Sequence, residues 1–361
     1  MSLRDLRRHV GRLAIVGFDG SSVPDDLRRL AREFDLGGVI YFARNIVEPR
    51  QVAELSREVA DLTREWPLWI SVDQEGGRVA RLKAPFTEWP PAVTLGRSAD
   101  ARLAERFASA LAAELRAVGI NLDYAPVLDV HTNPANPVIG DRALADTAEV
   151  VATLGAVIVR ALQAAGVAAC GKHFPGHGDT SVDSHETLPV VEHERARLDA
   201  VEFVPFRRAI AERAAAIMTA HVLVPALDEQ QAASLSAAIV SRLLKSDFGF
   251  DGVVISDDLG MKAVSETLPL AEAAVLSIAA GCDVVLLCNS KPDAQAAALE
   301  AVIAAVETGR ILSSRIDDAF GRQRRVKERF AESFHRPKAG ALDLVGCASH
   351  QTVAREMAAW R

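Results

Sequence analysis

The densest run of proton-carrying side chains lies between Gly171 and Pro189, in GKHFPGHGDTSVDSHETLP. Lys172, His173, His177, Asp179, Asp183 and His185 crowd this one stretch, with Gly176 and Gly178 permitting tight turns. Imidazoles and carboxylates together can ligate a metal or move protons. The spacing Asp183-x-His185 is suggestive, because in extended chain residues two apart face the same way. The carboxylate can then hold one imidazole nitrogen and leave the other free, which fixes the tautomer and raises the basicity of the ring. The same pairing also serves behind a metal ligand, so the spacing leaves both chemistries open.

A second constellation is GVVISDDLGM at 252–261, where an apolar run ends in two adjacent carboxylates. An acid in that position can attack an anomeric carbon and form a glycosyl-enzyme intermediate. Alternation along a strand sends Asp257 and Asp258 to opposite sides, so only one is expected to look into a pocket. The other is free to cap a helix. A third, VDQEGGRVARL at 72–82, places Asp73 before a Gly76–Gly77 turn and Arg78 and Arg81 after it. A carboxylate and a guanidinium can each hold neighbouring hydroxyls through paired hydrogen bonds. A fourth, NPVIGDR, ends at Arg142, which taken alone reads as a salt-bridge partner.

These residues sit at the ends of short apolar runs. The candidate strands are Leu13–Phe18, Val39–Phe42, Leu68–Val72, Asn121–Ala125, Val167–Cys170, Ala216–Ala220, Gly252–Ser256 and Asp283–Leu287. Amphipathic segments follow them: one signalled by Ser22 with Pro24 just inside, then Pro49–Glu65, Asp100–Val118, Thr147–Ala165, Glu194–Arg213, Ser236–Lys245, Leu270–Ala280 and Asp293–Thr308. Strands apolar throughout belong to parallel sheets buried on both faces. Eight strand–helix units predict a (β/α)8 barrel of the TIM type. No G-x-G-x-x-G follows the first strand, which weighs against an open doubly wound sheet. Asp73, Asp129, Lys172, His173, His221, Asp257 and Asp258 all fall at strand ends, where a barrel carries its active site.

The 361 residues suit one barrel, and 49% hydrophobic with 25% charged residues is ordinary for a globular enzyme. With 41 Lys and Arg against 48 Asp and Glu, the net charge of −7 argues against nucleic acid or an anionic membrane as partner. Arg322, Arg324, Arg325, Lys327 and Arg329 read as a solvated helix face. The four cysteines form no C-x-x-C pair, and Cys170, Cys282 and Cys288 lie in apolar runs, which fits a reducing compartment. The apolar run near the N-terminus is too short for a signal segment and nothing spans a membrane, so a cytoplasmic location is the expectation.

VDQEGGRVARL, NPVIGDR, KHFPGHGDTSVDSH, MTAHV and ISDDLGM, in that order, resemble glycoside hydrolase family 3 over about residues 10 to 335. Within it they resemble the single-domain NagZ-type β-N-acetylglucosaminidases. The resemblance implies that Asp257 is the nucleophile, His185 the general acid/base and Asp183 its paired carboxylate. It places sugar-binding roles on Asp73, Arg81, Arg142, Lys172 and His173, and it needs no metal and no organic cofactor. The implied reaction is hydrolysis, with retention, of terminal non-reducing β-linked N-acetylglucosamine. The implied substrate is a small carbohydrate, a muropeptide of peptidoglycan recycling that contains N-acetylglucosamine or a chitooligosaccharide, acted on by a monomer. A phosphorylase on the same residues and a metal-dependent hydrolase using His173, His177, Asp183 and His185 are the alternatives, with a non-catalytic sugar binder a third. Where the family carries an aromatic residue after Arg142, this chain has Ala143, Leu144 and Ala145, so the far wall of the pocket is expected to differ. Residues 1–335 are expected to form the catalytic barrel. Residues 336–361 are expected to be a tail whose amphipathic helix packs back on it.

Overall fold

A computed structural model of the chain describes residues 3–63, 65–184, 186–334 and 340–361. The apolar runs form β1 (Ala14–Val16), β2 (Gly38–Tyr41), β3 (Trp69–Val72), β4 (Leu122–Asp123), β5 (Ala168–Phe174), β6 (Ala216–Thr219), β7 (Val253–Asp258) and β8 (Val284–Leu287). Each pairs in parallel with its sequence neighbours, and β8 closes on β1 through Ala14↔Val285 to Val16↔Leu287. Helices connect successive strands around the outside, giving a (β/α)8 barrel.

Alternation within each strand explains why the strands are apolar on both sides. Ile15, Ile40, Trp69, Leu122, Cys170, Met218, Ile255 and Leu286 pack together inside the barrel. Their neighbours Val16, Val39, Ile70, Ala169, Ile217, Val254 and Val285 pack outward against the helices. Two strands run further than their apolar residues suggest. β5 reaches Phe174 and β7 reaches Asp258, so Lys172, His173 and Asp257 are strand residues. Backbone pairing carries β5 past Cys170, with Lys172 bridged to Val127 and Phe174 to Thr219.

The helices depart from expectation in four places. The expected Glu194–Arg213 helix breaks into Arg195–Ala200 and Phe203–Ala211, because Pro205 is tolerated only in a first turn. Pro24, not Ser22, occupies the cap position before Asp25–Phe34. An additional helix, Leu3–Gly11, buries Leu6 and Val10 ahead of β1. In Ser313–Arg329 the basic cluster is not uniformly solvated: Arg324 and Arg325 are exposed, but Lys327 is only 4% exposed. Its ammonium donates to the carbonyls of Gly37 and Pro67 and lies 4.4 Å from the Trp66 ring centre, closing the barrel's lower end.

After the turn at Ala341–Leu344, helix Ala348–Ala358 lays Val353, Ala354 and Met357 against the barrel helices. Buried Glu114 ties it there, accepting from Thr87 N at 2.9 Å, Gly346 N at 3.0 Å and His350 Nδ1 at 2.8 Å. The expected boundary between residues 335 and 336 lies outside the described residues. Among the described residues no helix is long and apolar enough to cross a membrane.

Candidate active site

A cavity of about 230 Å3 opens where the strands end. Its floor is the uppermost inward layer of the barrel: Ile40, Tyr124, Met218, Leu286 and Cys288. Its polar wall brings together Asp73, Arg81, Arg142, Lys172, His173, Asp183 and Asp257 from segments far apart in sequence. His185 lies outside the described residues.

One side of the wall is a buried ion network. Lys172 Nζ lies 2.7 Å from Asp73 Oδ1 and 2.6 Å from Glu75 Oε1. Glu75 also accepts two bonds from Arg142, Nε at 2.9 Å and Nη2 at 2.8 Å, the bidentate geometry that favours arginine. Burial alone would push the Glu75 carboxyl up and the Lys172 ammonium down. Lys172 and Arg142 outweigh it for Glu75, holding that carboxyl well below the usual range. Asp73 and Glu75 outweigh it for Lys172, whose pKa is raised. Both groups are therefore charged. Glu75 is the residue that reading the motif for Asp73, Arg78 and Arg81 misses. Its signal is the two-residue spacing from Asp73, which can place both carboxylates on one side. Arg78 also lines the cavity, donating to the carbonyls of Val138 and Ile139 and pairing with Asp141 at 3.2 Å.

His173 is oriented by Asp129. The carboxylate lies 2.7 Å from His173 Nδ1 and accepts the backbone N–H groups of His173 and His177 at 3.2 and 2.7 Å. Burial raises the Asp129 pKa, but the adjacent His173 and these hydrogen bonds reverse the sign and lower it. An ionised Asp129 accepts a hydrogen bond from Nδ1–H and leaves Nε2 as the ring's remaining polar atom. His177 does not line the cavity. Its Nδ1 lies 2.7 Å from Thr180 Oγ1 and its Nε2 3.0 Å from Ser184 Oγ, so neither nitrogen is available to a metal. Among the described residues no group of three or more His, Cys, Asp or Glu is placed to hold a metal ion. His221, another strand-end residue, is buried with its nitrogens on Ser234 Oγ and the Asp258 carbonyl. Asp179 pairs with His193.

Asp257 and Asp258 both border the cavity, contrary to the expectation that alternation would admit one. Asp258 is nevertheless committed elsewhere: its carboxylate accepts from Gly260 N at 3.1 Å, Cys288 N at 3.0 Å and Asn289 Nδ2 at 3.3 Å. It braces the turn and the loop after β8, while Met261 occupies the cap position of the next helix. Burial pushes its pKa up. Asp257 accepts the Asp258 backbone N–H at 2.8 Å. Ala143 and Leu144, expected to alter the far wall, are both 1% exposed and line a separate apolar hollow of about 390 Å3 behind Arg142. Val138 and Arg142 form that wall instead.

This geometry agrees with what the chain is similar to. Residues 5–327 match the glycosyl hydrolase family 3 N terminal domain. A β-N-acetylglucosaminidase of family 3 from Paenibacillus sp. str. FPU-7 superposes with a TM-score of 0.94 at 45% identity, over 100% of this chain and 69% of that one. NagZ from Neisseria gonorrhoeae, solved with N-trifluoroacetyl-D-glucosamine, gives a TM-score of 0.78 at 31% identity over 96% of this chain and 97% of that one. Beta-hexosaminidase A of Pseudoalteromonas piscicida is 33% identical over 94% of this chain, which spans 60% of that relative's length. A match running from the first helix through the last barrel helix, on a closed eight-stranded barrel with its acids at the strand ends, leaves one assignment: the chain belongs to glycosyl hydrolase family 3.

Proposed function

We propose that the chain is a retaining exo-β-N-acetylglucosaminidase. The observation that carries this reading is the single cavity in which Asp257 and Asp183 meet a wall of buried, charge-locked cations. At 230 Å3 it falls below the roughly 300–1,000 Å3 of drug-sized sites, as a pocket for one terminal sugar should. Asp257 attacks the anomeric carbon, while His185 gives its proton to the departing oxygen and Asp183 holds the imidazole. Water then opens the glycosyl-enzyme with His185 as base, so configuration is retained. Asp73, Arg81, Arg142, Lys172 and His173 hold the sugar hydroxyls. The natural substrate we infer is a cell-wall fragment, N-acetylglucosamine linked to 1,6-anhydro-N-acetylmuramic acid.

Proton NMR of the first product from an aryl N-acetyl-β-glucosaminide, with and without phosphate, tests the reading. The β-anomer of free N-acetylglucosamine should appear first in both. The α-anomer first, a sugar phosphate as the main product, or no cleavage would each overturn it.

A further inference from the structure

Ser184 joins the two segments that carry the reacting groups. Its hydroxyl lies 3.0 Å from His177 Nε2, and its carbonyl accepts Ala263 N at 3.2 Å, just beyond β7 and Asp257. Ser184 and His177 are each 2% exposed. The surrounding hydrogen bonds fix their roles. Thr180 Oγ1 donates to the His177 carbonyl at 3.2 Å and accepts from Asn136 Nδ2 at 3.1 Å, so it receives the His177 Nδ1 proton as well. Nε2 is left as an acceptor, and the Ser184 hydroxyl must be the donor. Asn136 is itself anchored, accepting Val138 N and Ile139 N at 2.9 and 2.8 Å in the loop that leads to Arg142.

We propose that Ser184 and His177 form a clasp that positions the Asp183–His185 dyad against Asp257, acting through the dyad and not on the sugar. The proposal rests on the reading of His185 as acid/base. The clasp grips the residue lying between the dyad's two members. Through the Ala263 contact it ties that residue to the strand bearing the nucleophile. Burial also holds the His177 pKa down at about 4, which keeps Nε2 an acceptor across the neutral range.

A positioning residue for proton transfer should matter most where the leaving group needs the proton. General acid help contributes roughly 10²–10⁴ in rate, and a misplaced donor forfeits part of it. The test is kcat/KM of Ser184→Ala on a β-linked N-acetylglucosamine disaccharide and on aryl N-acetyl-β-glucosaminides of graded leaving ability. We expect a loss of about tenfold or more on the disaccharide, about threefold or less on a nitrophenyl glycoside, and a steeper dependence on leaving-group pKa. His177→Gln attacks the same bond from the other side and should give the same pattern, so the test survives if one variant fails to fold. In a His185→Ala background, Ser184→Ala should add no further loss. Equal losses on all leaving groups, or additive losses in the double variant, would overturn the clasp while leaving the glycosidase reading intact. A wild-type protein that cleaves no N-acetyl-β-glucosaminide would overturn that reading and the clasp with it.

Discussion

Two buried ion networks sit at opposite ends of the barrel, and their difference separates function from architecture. At the lower end Asp283, just before β8, is fully buried and pairs with Lys245 at 2.6 Å and with Arg315, while Asp318 pairs with the same two cations. Arg322 pairs with Asp318 as well, at 3.2 Å, so three cations meet two carboxylates, and Asp283 also accepts Val254 N at 2.9 Å. At the upper end Lys172, Arg142 and Arg81 meet Asp73 and Glu75, and all but Glu75 line the cavity. These five groups carry one surplus positive charge, as the lower five do, so it is the cavity and not the charge balance that sets this end apart. The Arg81–Asp73 contact is long at 3.5 Å, and Arg81 Nε has no partner among the described residues. A buried salt bridge alone is thus poor evidence of a site. A network that fronts a cavity is better evidence.

The largest effect expected is that of Asp257→Ala, which should lower kcat/KM by more than about 10⁴-fold with the thermal midpoint little changed. A variant that stays active would remove Asp257 from the chemistry. Asp258→Ala should act differently, because it strips an acceptor from the buried Cys288 N–H at a cost of about 1–3 kcal/mol and from the half-buried Gly260 N–H at less. The paired comparison comes next. Lys172→Met and Lys245→Met each leave buried carboxylates short of one cation, and each should cost up to about 3–5 kcal/mol in chemical denaturation. Only Lys172→Met should also reduce kcat/KM per folded molecule, by about 10²-fold. Equal kinetic damage from both would erase the distinction between the two ends.

Much of the barrel is legible in the sequence because strand position depends on local apolar runs, and both barrel faces need them. What is hidden depends on partners distant in sequence. Glu75 looks like a turn residue until Arg142, 67 positions on, binds it twice. Lys327 looks like a surface charge until two tryptophan rings close over it. Strand ends are hidden too, since β5 and β7 run on through polar residues that only the cavity makes tolerable. The helix break before Pro205 was available from the residue alone and follows from the missing N–H of proline.

Glu75→Gln sharpens the upper network further. Without the second carboxylate, buried Lys172 loses part of what keeps it charged. A new loss of kcat/KM should therefore appear on the alkaline side, with KM raised about tenfold at neutral pH. The acid side has the opposite sign. The folded Glu75 pKa lies below the unfolded value of 4.5, so its contribution to stability is present above that pH and is lost as pH falls below it. The variant should show a shallower decline in stability below pH 4.5. An unchanged alkaline profile would mean that Asp73 alone sustains the charge on Lys172.

The smallest effect concerns His177, on the neutral side of the site. Its folded pKa of about 4 lies below the unfolded 6.5, with burial the main cause, Asp129 opposing and His173 assisting. Between these values the unfolded chain binds the proton that the folded ring refuses. Stability from this group is therefore complete above pH 6.5, declines as pH falls toward 4 and is flat below. At pH 5 the loss is about 2 kcal/mol by the usual conversion of about 1.4 kcal/mol per pKa unit. His177→Asn has no group to titrate in that window. The difference in unfolding free energy between wild type and variant, measured by denaturant from pH 7.5 to 4.5, should narrow steadily as pH falls. A constant difference would mean that the fold leaves the ring's proton affinity unchanged, and a difference that widens as pH falls would mean that His177 is protonated in the fold, donating from Nε2 to the Ser184 hydroxyl. The direction of that bond, and with it the clasp, would then have to be reversed.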